Sequence, residues 1–355
     1  MKIERLAGLD ILKIVSMFLI VMSHFAVHGN WPPMDTITLN SGLISLFGSF
    51  GNLAVNCYVL ITAYFMVDKN LNVERIARIL FKVLFYSVGI YILLSLLGFV
   101  TFDIKTFLLY LPFREKSYWF MDTYILLILF SPLLNIIMNK ITKMQLRYLI
   151  FVSLFFSSVL SLVYLVDTVV SYFFWFIVLY FIGGYLRKYY NSSMKISKRW
   201  IIVILLMFAM FSTIIILRVI ELNTGVIIGS GSYYFIGKNR LLVLVTSIQM
   251  FVLFSCFKVR SNKVIQFMSG NTLGVYLIHD NGALRYILWH VLLNVGNYFY
   301  SRGFIVYALL MIIGVFLTSM LVSYLITLCI ENPLFYLLKK PVLRLQEKYD
   351  KLWNS

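Results

Sequence analysis

Long apolar runs along the chain are separated by short intervals rich in charge and turn residues. A helix needs roughly 20 mostly apolar residues to cross about 30 Å of hydrocarbon. Ten stretches meet that demand: 8–27, 43–66, 76–100, 118–138, 148–166, 171–187, 200–219, 240–257, 270–290 and 303–330. The pattern predicts an all-α, polytopic membrane protein with about ten transmembrane helices. Residues 1–338 read as a single domain and 339–355 as a short basic cytoplasmic tail. No Gly/Ser-rich linker, low-complexity tract or internal repeat interrupts the runs. The first run follows MKIER, but it is too long for a signal peptide and lacks a small-residue cleavage site, so it reads as an uncleaved span.

Composition supports this class. Of 355 residues, 61% are hydrophobic and 13% charged, whereas a soluble domain carries about 25% charged residues. The net charge of +17 needs no nucleic-acid partner, because Lys and Arg accumulate in cytoplasmic loops for topological reasons. With the N-terminus inside, the inward segments carry Lys2 and Arg5, then Lys69, Arg75 and Arg78, then Lys140, Lys143 and Arg147, and the later ones are similarly basic. Several outward segments carry one basic residue or none. The bias predicts N-in and C-in. Cys57, Cys256 and Cys329 stand far apart in apolar runs, which indicates neither a disulfide framework nor a zinc site.

Polar residues inside the apolar runs are the candidates for chemistry, since burying them in hydrocarbon is costly without a partner or a wet cavity. In the first run, Lys13 and His24 are eleven residues apart, close to three helical turns, so they share a face and lie about 16 Å apart along the axis. Lys13 falls near the cytoplasmic mouth and His24 near the outer one. A cation holding an anionic donor on one side and an imidazole base facing the other would suit a two-sided reaction. The structural alternative is that Asp10 and Lys13 form a pair that fixes packing, while His24 bonds a neighbouring helix. His28, a turn beyond His24, is expected to matter less. The His24/His28 spacing fits two metal ligands, but no third ligand is evident nearby and no metal is expected.

Arg75 and Arg78 are three apart at the start of the third run, with Lys82 continuing their face. Guanidinium groups at that spacing can grip phosphates, although positive-inside topology alone would also place them there. In the fourth run, Trp119 marks the outer interface and Asp122 lies about one turn below it, near the depth of His24. In the ninth, His279, Asp280 and Asn281 fall near mid-membrane with Arg285 further out. Such a run is costly if idle, its alternative role being a polar bridge between helices.

These stretches together resemble acyltransferase family three, the integral membrane O-acyltransferases, and within it the bacterial branch acting on surface polysaccharides. LDILKIVSMFLIVMSH is similar to the family's Asp-x-x-Arg followed, after ten residues, by His. VNCYVLITAYFM resembles an apolar run ending in Ser-Gly-Tyr/Phe, RIAR matches Arg-x-x-Arg, and IENPLF resembles the closing Glu-x-Pro. YWFMDTYILLILFSPLLN, LYFIGGYLRKY and NTLGVYLIHDN follow in the family's order. Lys13 stands where the family usually has Arg, and Thr62-Ala63 replaces the Ser-Gly at which the family's tight helix contact is expected. The resemblance implies transfer of an acetyl group from cytoplasmic acetyl-CoA to a hydroxyl of a surface or lipid-linked glycan, in the bacterial cytoplasmic membrane. His24 would be the base or a covalent relay, oriented by Asp122 or Asp280. Lys13, Arg75 and Arg78 would bind the donor, and Trp119, His279, Asn281 and Arg285 the acceptor. A flippase for a lipid-linked sugar is the rival reading, and a glycan polymerase a second. Consumption of the thioester separates both from the transferase.

Overall fold

The computed structural model of the protein describes residues 6–163, 171–191, 193–229 and 231–354. Lys2, Arg5 and the end of the fifth apolar run lie outside them. α1 (Ala7–His28) opens the chain, and α2 (Leu39–Gly48) with α3 (Phe50–Met66) makes up the second run. Asn72 starts α4 (Val73–Leu96), its side chain accepting the Arg75 N–H at 2.7 Å. That bond satisfies one of the N–H groups a helix start leaves unpaired. After the short α5 (Ile104–Leu109) come α6 (Trp119–Lys140), α7 (Lys143–Leu154), α8 (Leu160–Val163), α9 (Tyr172–Tyr189) and α10 (Ile196–Thr224). The chain closes with α11 (Leu241–Ser255), α12 (Lys263–His279), α13 (Leu284–Tyr286), α14 (Phe304–Ile326) and α15 (Asn332–Asn354). No strand occurs among the described residues.

Seven of these stretches are long and apolar enough to cross a membrane: Ala7–His28, Leu39–Met66, Val73–Leu96, Trp119–Lys140, Lys143–Leu162, Ile196–Thr224 and Phe304–Trp353. The remaining expected spans correspond to α9, to α11 with 15 residues and to α12 with 17. On α10, Ile204, Leu205 and Phe208 are exposed while Val203, Met210 and Ile214 are buried. A helix apolar on both its packed and its open face suits lipid and not water. The protein is an all-α polytopic membrane protein.

α1 sits at the centre, packed against α2, α3, α11, α12 and α14. The close approach expected of a Ser-Gly pair in α3 is supplied from the opposite helix. A Cβ on Gly183 of α9 would stand 2.6 Å from the Ala63 Cβ, so the glycine lets α9 lie against α3. Gly274 of α12 does the same against α14, where a Cβ would collide with Ser323.

One run differs from its expected form. The ninth does not continue as one helix: α12 ends at His279 and Asp280, and the chain resumes as helix only at Leu284. Asn281 causes the break, because its side-chain oxygen accepts the N–H groups of Ala283 at 3.0 Å and Leu284 at 3.3 Å and so offers the backbone an alternative to the helical ladder. Irregular backbone at this depth is sustainable only inside protein or beside a cavity. Residues 339–353, read as a tail, are helical and continue α15 from a wide turn at Thr327–Glu331. α15 packs along α4, where Gln346 accepts the Val73 N–H at 2.7 Å and donates to the Leu71 carbonyl at 3.2 Å.

Candidate active site

Two cavities enter the bundle from opposite ends. The one at the basic end has a volume of about 580 Å³ and is lined by Asp10, Lys13, Thr62, Arg75, Arg78 and Tyr124, among others. α1 brings Lys13 there and α4 brings the two arginines. Arg75 donates to the Tyr124 hydroxyl at 3.3 Å, and that hydroxyl lies 3.1 Å from the Thr62 hydroxyl. Arg78 donates to Glu74 at 2.9 and 3.1 Å and lies 4.1 Å over the Phe335 ring of α15. The cationic group of Lys13 thus shares one opening with those of Arg75 and Arg78, which lie far from it in sequence.

The second cavity, about 390 Å³, contains His24, His28, Trp119, Asp280 and Arg285. Here α1 faces the broken end of α12. His279 is fully buried behind His24, and its Nδ1 lies 2.6 Å from the Val275 carbonyl. A carbonyl only accepts, so His279 Nδ1 carries the proton and, in the neutral ring, its Nε2 is an acceptor. That Nε2 is 2.9 Å from His24 Nδ1, so His24 Nδ1 donates. His24 therefore keeps the lone pair on Nε2, on a side chain that lines the cavity: the tautomer a general base requires.

Asp280 supplies the charge. Its Oδ1 lies 3.6 Å from His24 Nδ1, 3.5 Å from His28 Nε2 and 3.2 Å from Arg285 Nη1. The contact with His24 is too long for a hydrogen bond, so the carboxylate acts on that ring through the field and His279 acts through the bond. Of the two carboxylates that could orient His24, the fold brings Asp280 alongside. Asp122 instead accepts from the Phe113 N–H and the Ser117 hydroxyl, each at 3.1 Å, and holds the loop before α6. His28 belongs to the cluster through Asp280, and its own carbonyl accepts from His290 at 2.8 Å.

His24, His28 and Asp280 offer three metal-ligand atoms within 4.8 Å of one another, a triad that needed the fold to appear. Arg285 Nη1 already stands 3.4 Å from His28 Nε2 and 3.2 Å from Asp280. A metal binding both atoms would face that guanidinium at close range, a like-charge contact that opposes its binding.

The expected acceptor residues separate into two groups. Trp119 and Arg285 line the cavity, and Trp119 rests 4.4 Å from the Tyr172 ring. They also border, with Asp280, an adjoining polar recess of about 360 Å³ formed by Glu115, Lys116 and Ser117. His279 and Asn281 lie behind the cavity and are both fully buried. Asn281 donates to the Tyr118 hydroxyl at 2.8 Å and the Tyr86 carbonyl at 3.2 Å, which fixes the broken end of α12 against α4 and α6. Sequence reading missed Tyr124 and Thr62 at the basic cavity, and Glu115 to Ser117 at the far one. An aromatic hydroxyl or a loop side chain carries no signal until the fold points it inward.

The acyltransferase-domain family matches residues 6–328, nearly the whole chain. The protein belongs to this acyltransferase family. No curated protein and no solved structure matches it. The acyltransferase is thus a membrane enzyme whose family match spans both cavities and the helices that build them.

Proposed function

We propose that the acyltransferase moves an acetyl group from cytoplasmic acetyl-CoA to a hydroxyl of a cell-surface or lipid-linked glycan, in a bacterial cytoplasmic membrane with both termini inside. The observation that carries this reading is the pair of cavities meeting head to head, cations in one and a base with a free Nε2 in the other. Lys13, Arg75 and Arg78 hold the phosphates of CoA, where charge-assisted bonds to guanidinium are strongest. The pantetheine arm runs along α1 toward His24, a distance of about 16 Å between Lys13 and His24 at 1.5 Å per residue. The acceptor lies against Trp119 and Arg285, with its outer part in the recess of Glu115, Lys116 and Ser117.

His24 Nε2 takes the proton of the acceptor hydroxyl as the oxygen attacks the thioester carbonyl. The C–O bond forms, the C–S bond breaks, and the proton passes from the imidazolium to the departing thiolate, leaving an ester and free CoA. Asp280 lowers the energy of the imidazolium during the step, and His279 keeps the ring in register. Arg285 stands on the acceptor side, where it can hold the oxygen or a charged substituent of the sugar.

A discontinuous helix at membrane depth is also a feature of transporters, so a flippase is the second reading. Membrane vesicles supplied with radiolabelled acetyl-CoA decide between them. The proposal expects label in glycan and release of free CoA from the native protein, and neither from His24→Ala. Label transfer by His24→Ala, or no thioester use by the native protein, refutes it. Glycan mass spectrometry of a deletion strain, showing the loss of one acetyl group, identifies the acceptor.

A further inference from the structure

The two cavities share three lining residues: Tyr58, Phe120 and Leu273. These side chains stand where the two cavities adjoin, with Lys13 and the arginines lining one and His24 the other. A group passing from the basic cavity to His24 has to pass them.

The three are held very differently. The Tyr58 hydroxyl donates to the Thr272 hydroxyl, and its ring lies 5.8 Å beneath the Lys13 ammonium. Phe120 sits in an aromatic cluster, with ring centroids 6.1 Å from Tyr58, 5.6 Å from Tyr124, 5.7 Å from Tyr276 and 5.8 Å from Phe176. Leu273 is aliphatic, with neither a ring to stack nor a polar group to tie it. It also lines a third cavity, of about 210 Å³, beside Arg78, Lys82 and Glu331, so this partly buried side chain borders all three cavities. A side chain with free volume beside it can change rotamer at little cost, whereas one in close packing cannot.

Resting on the acetyl-transfer reading, we propose that Leu273 closes the passage between the cavities and that the opening it leaves against Tyr58 and Phe120 sets the length of acyl group admitted. Tyr58 and Phe120 are the fixed edges and Leu273 the moving one. The thioester end passes when Leu273 swings toward the third cavity. The gap then limits the chain attached to the carbonyl carbon, so acetyl crosses and longer chains stall. Closed, the same side chain keeps water from joining the two aqueous cavities and hydrolysing the thioester.

The test measures CoA release from acetyl-CoA and butyryl-CoA in native membrane vesicles, with His24→Ala as background, alongside binding of free CoA by calorimetry on purified protein. One methylene at an apolar contact discriminates by about 10-fold or more, so Leu273→Ala should raise the butyryl-to-acetyl ratio at least about 10-fold. Leu273→Phe should slow both donors while binding CoA as the native protein does. A smaller ratio change in Leu273→Ala, or undiminished turnover in Leu273→Phe, overturns the proposal. If Leu273→Ala loses CoA binding, Leu273→Val replaces it, and the ratio must then at least double. Native protein that releases CoA from neither thioester defeats the acetyl-transfer reading, and the gate with it. Native activity with an unmoved ratio defeats the gate alone.

Discussion

Replacing His279 tests the assignment of the base most directly, because His279 touches neither cavity yet fixes the proton of the ring that does. His279→Ala removes the acceptor 2.9 Å from His24 Nδ1 and leaves that N–H without its partner in a buried corner. A buried donor left unpaired costs about 1–3 kcal/mol. If the cost falls on the reactive tautomer and orientation, it lowers kcat by roughly 5- to 160-fold, at 1.36 kcal/mol per tenfold. That is less than the loss expected for His24→Ala, since a positioned base contributes about 10²- to 10⁴-fold. KM for acetyl-CoA should not move, because the donor cations lie beyond Tyr58, Phe120 and Leu273. His279→Gln should recover much of the rate, its amide nitrogen donating to the Val275 carbonyl and its amide oxygen accepting from His24. The assay is CoA release against donor concentration for the three variants, with bound CoA as the measure of folding. Native kcat in His279→Ala would refute this positioning role, and a rise in KM with unchanged kcat would return His279 to a packing role.

At the donor end, Arg75→Ala and Arg78→Ala should each weaken CoA binding by about 1.5–3 kcal/mol per charge-assisted bond lost, read by calorimetry. They should combine non-additively if they grip one phosphate. Glu74→Gln should tighten CoA binding, because Glu74 holds Arg78 at 2.9 Å in competition with a phosphate; unchanged affinity would place Arg78 outside the donor site. Lys13→Arg should be tolerated, since a guanidinium offers more donors to a phosphate. Lys13→Met should raise KM for acetyl-CoA while the protein still inserts and purifies, and full activity in Asp10→Asn with Lys13→Met would reduce Lys13 to a structural partner. Because Arg285 supplies the positive charge beside His28 and Asp280, treatment with a chelator should leave CoA release unchanged, and activity restored only by added metal would overturn that assignment.

The amino-acid sequence alone determined the class of protein and the contents of each helix. Apolar length sets which segments enter hydrocarbon, and the helical repeat sets which residues share a face, so Lys13 and His24 could be placed at opposite ends of one stripe without any fold. Both effects are local, acting over a few turns of one segment. Tertiary structure decided what depends on contacts between segments. His24 and His279 meet across 255 positions of chain, and nothing in the spacing of either helix says which carboxylate arrives beside them. By depth alone Asp122, one turn below the outer interface near His24, was as good a candidate as Asp280 near mid-membrane. They differ because Asn281 stops α12 short and turns Asp280 toward α1, while Asp122 is captured by the loop of Phe113 and Ser117. The junction between the cavities is decided in the same way, since Tyr58, Phe120 and Leu273 come from three helices and are ordinary apolar residues in each. Only the packing of α3, α6 and α12 around α1 brings them together there.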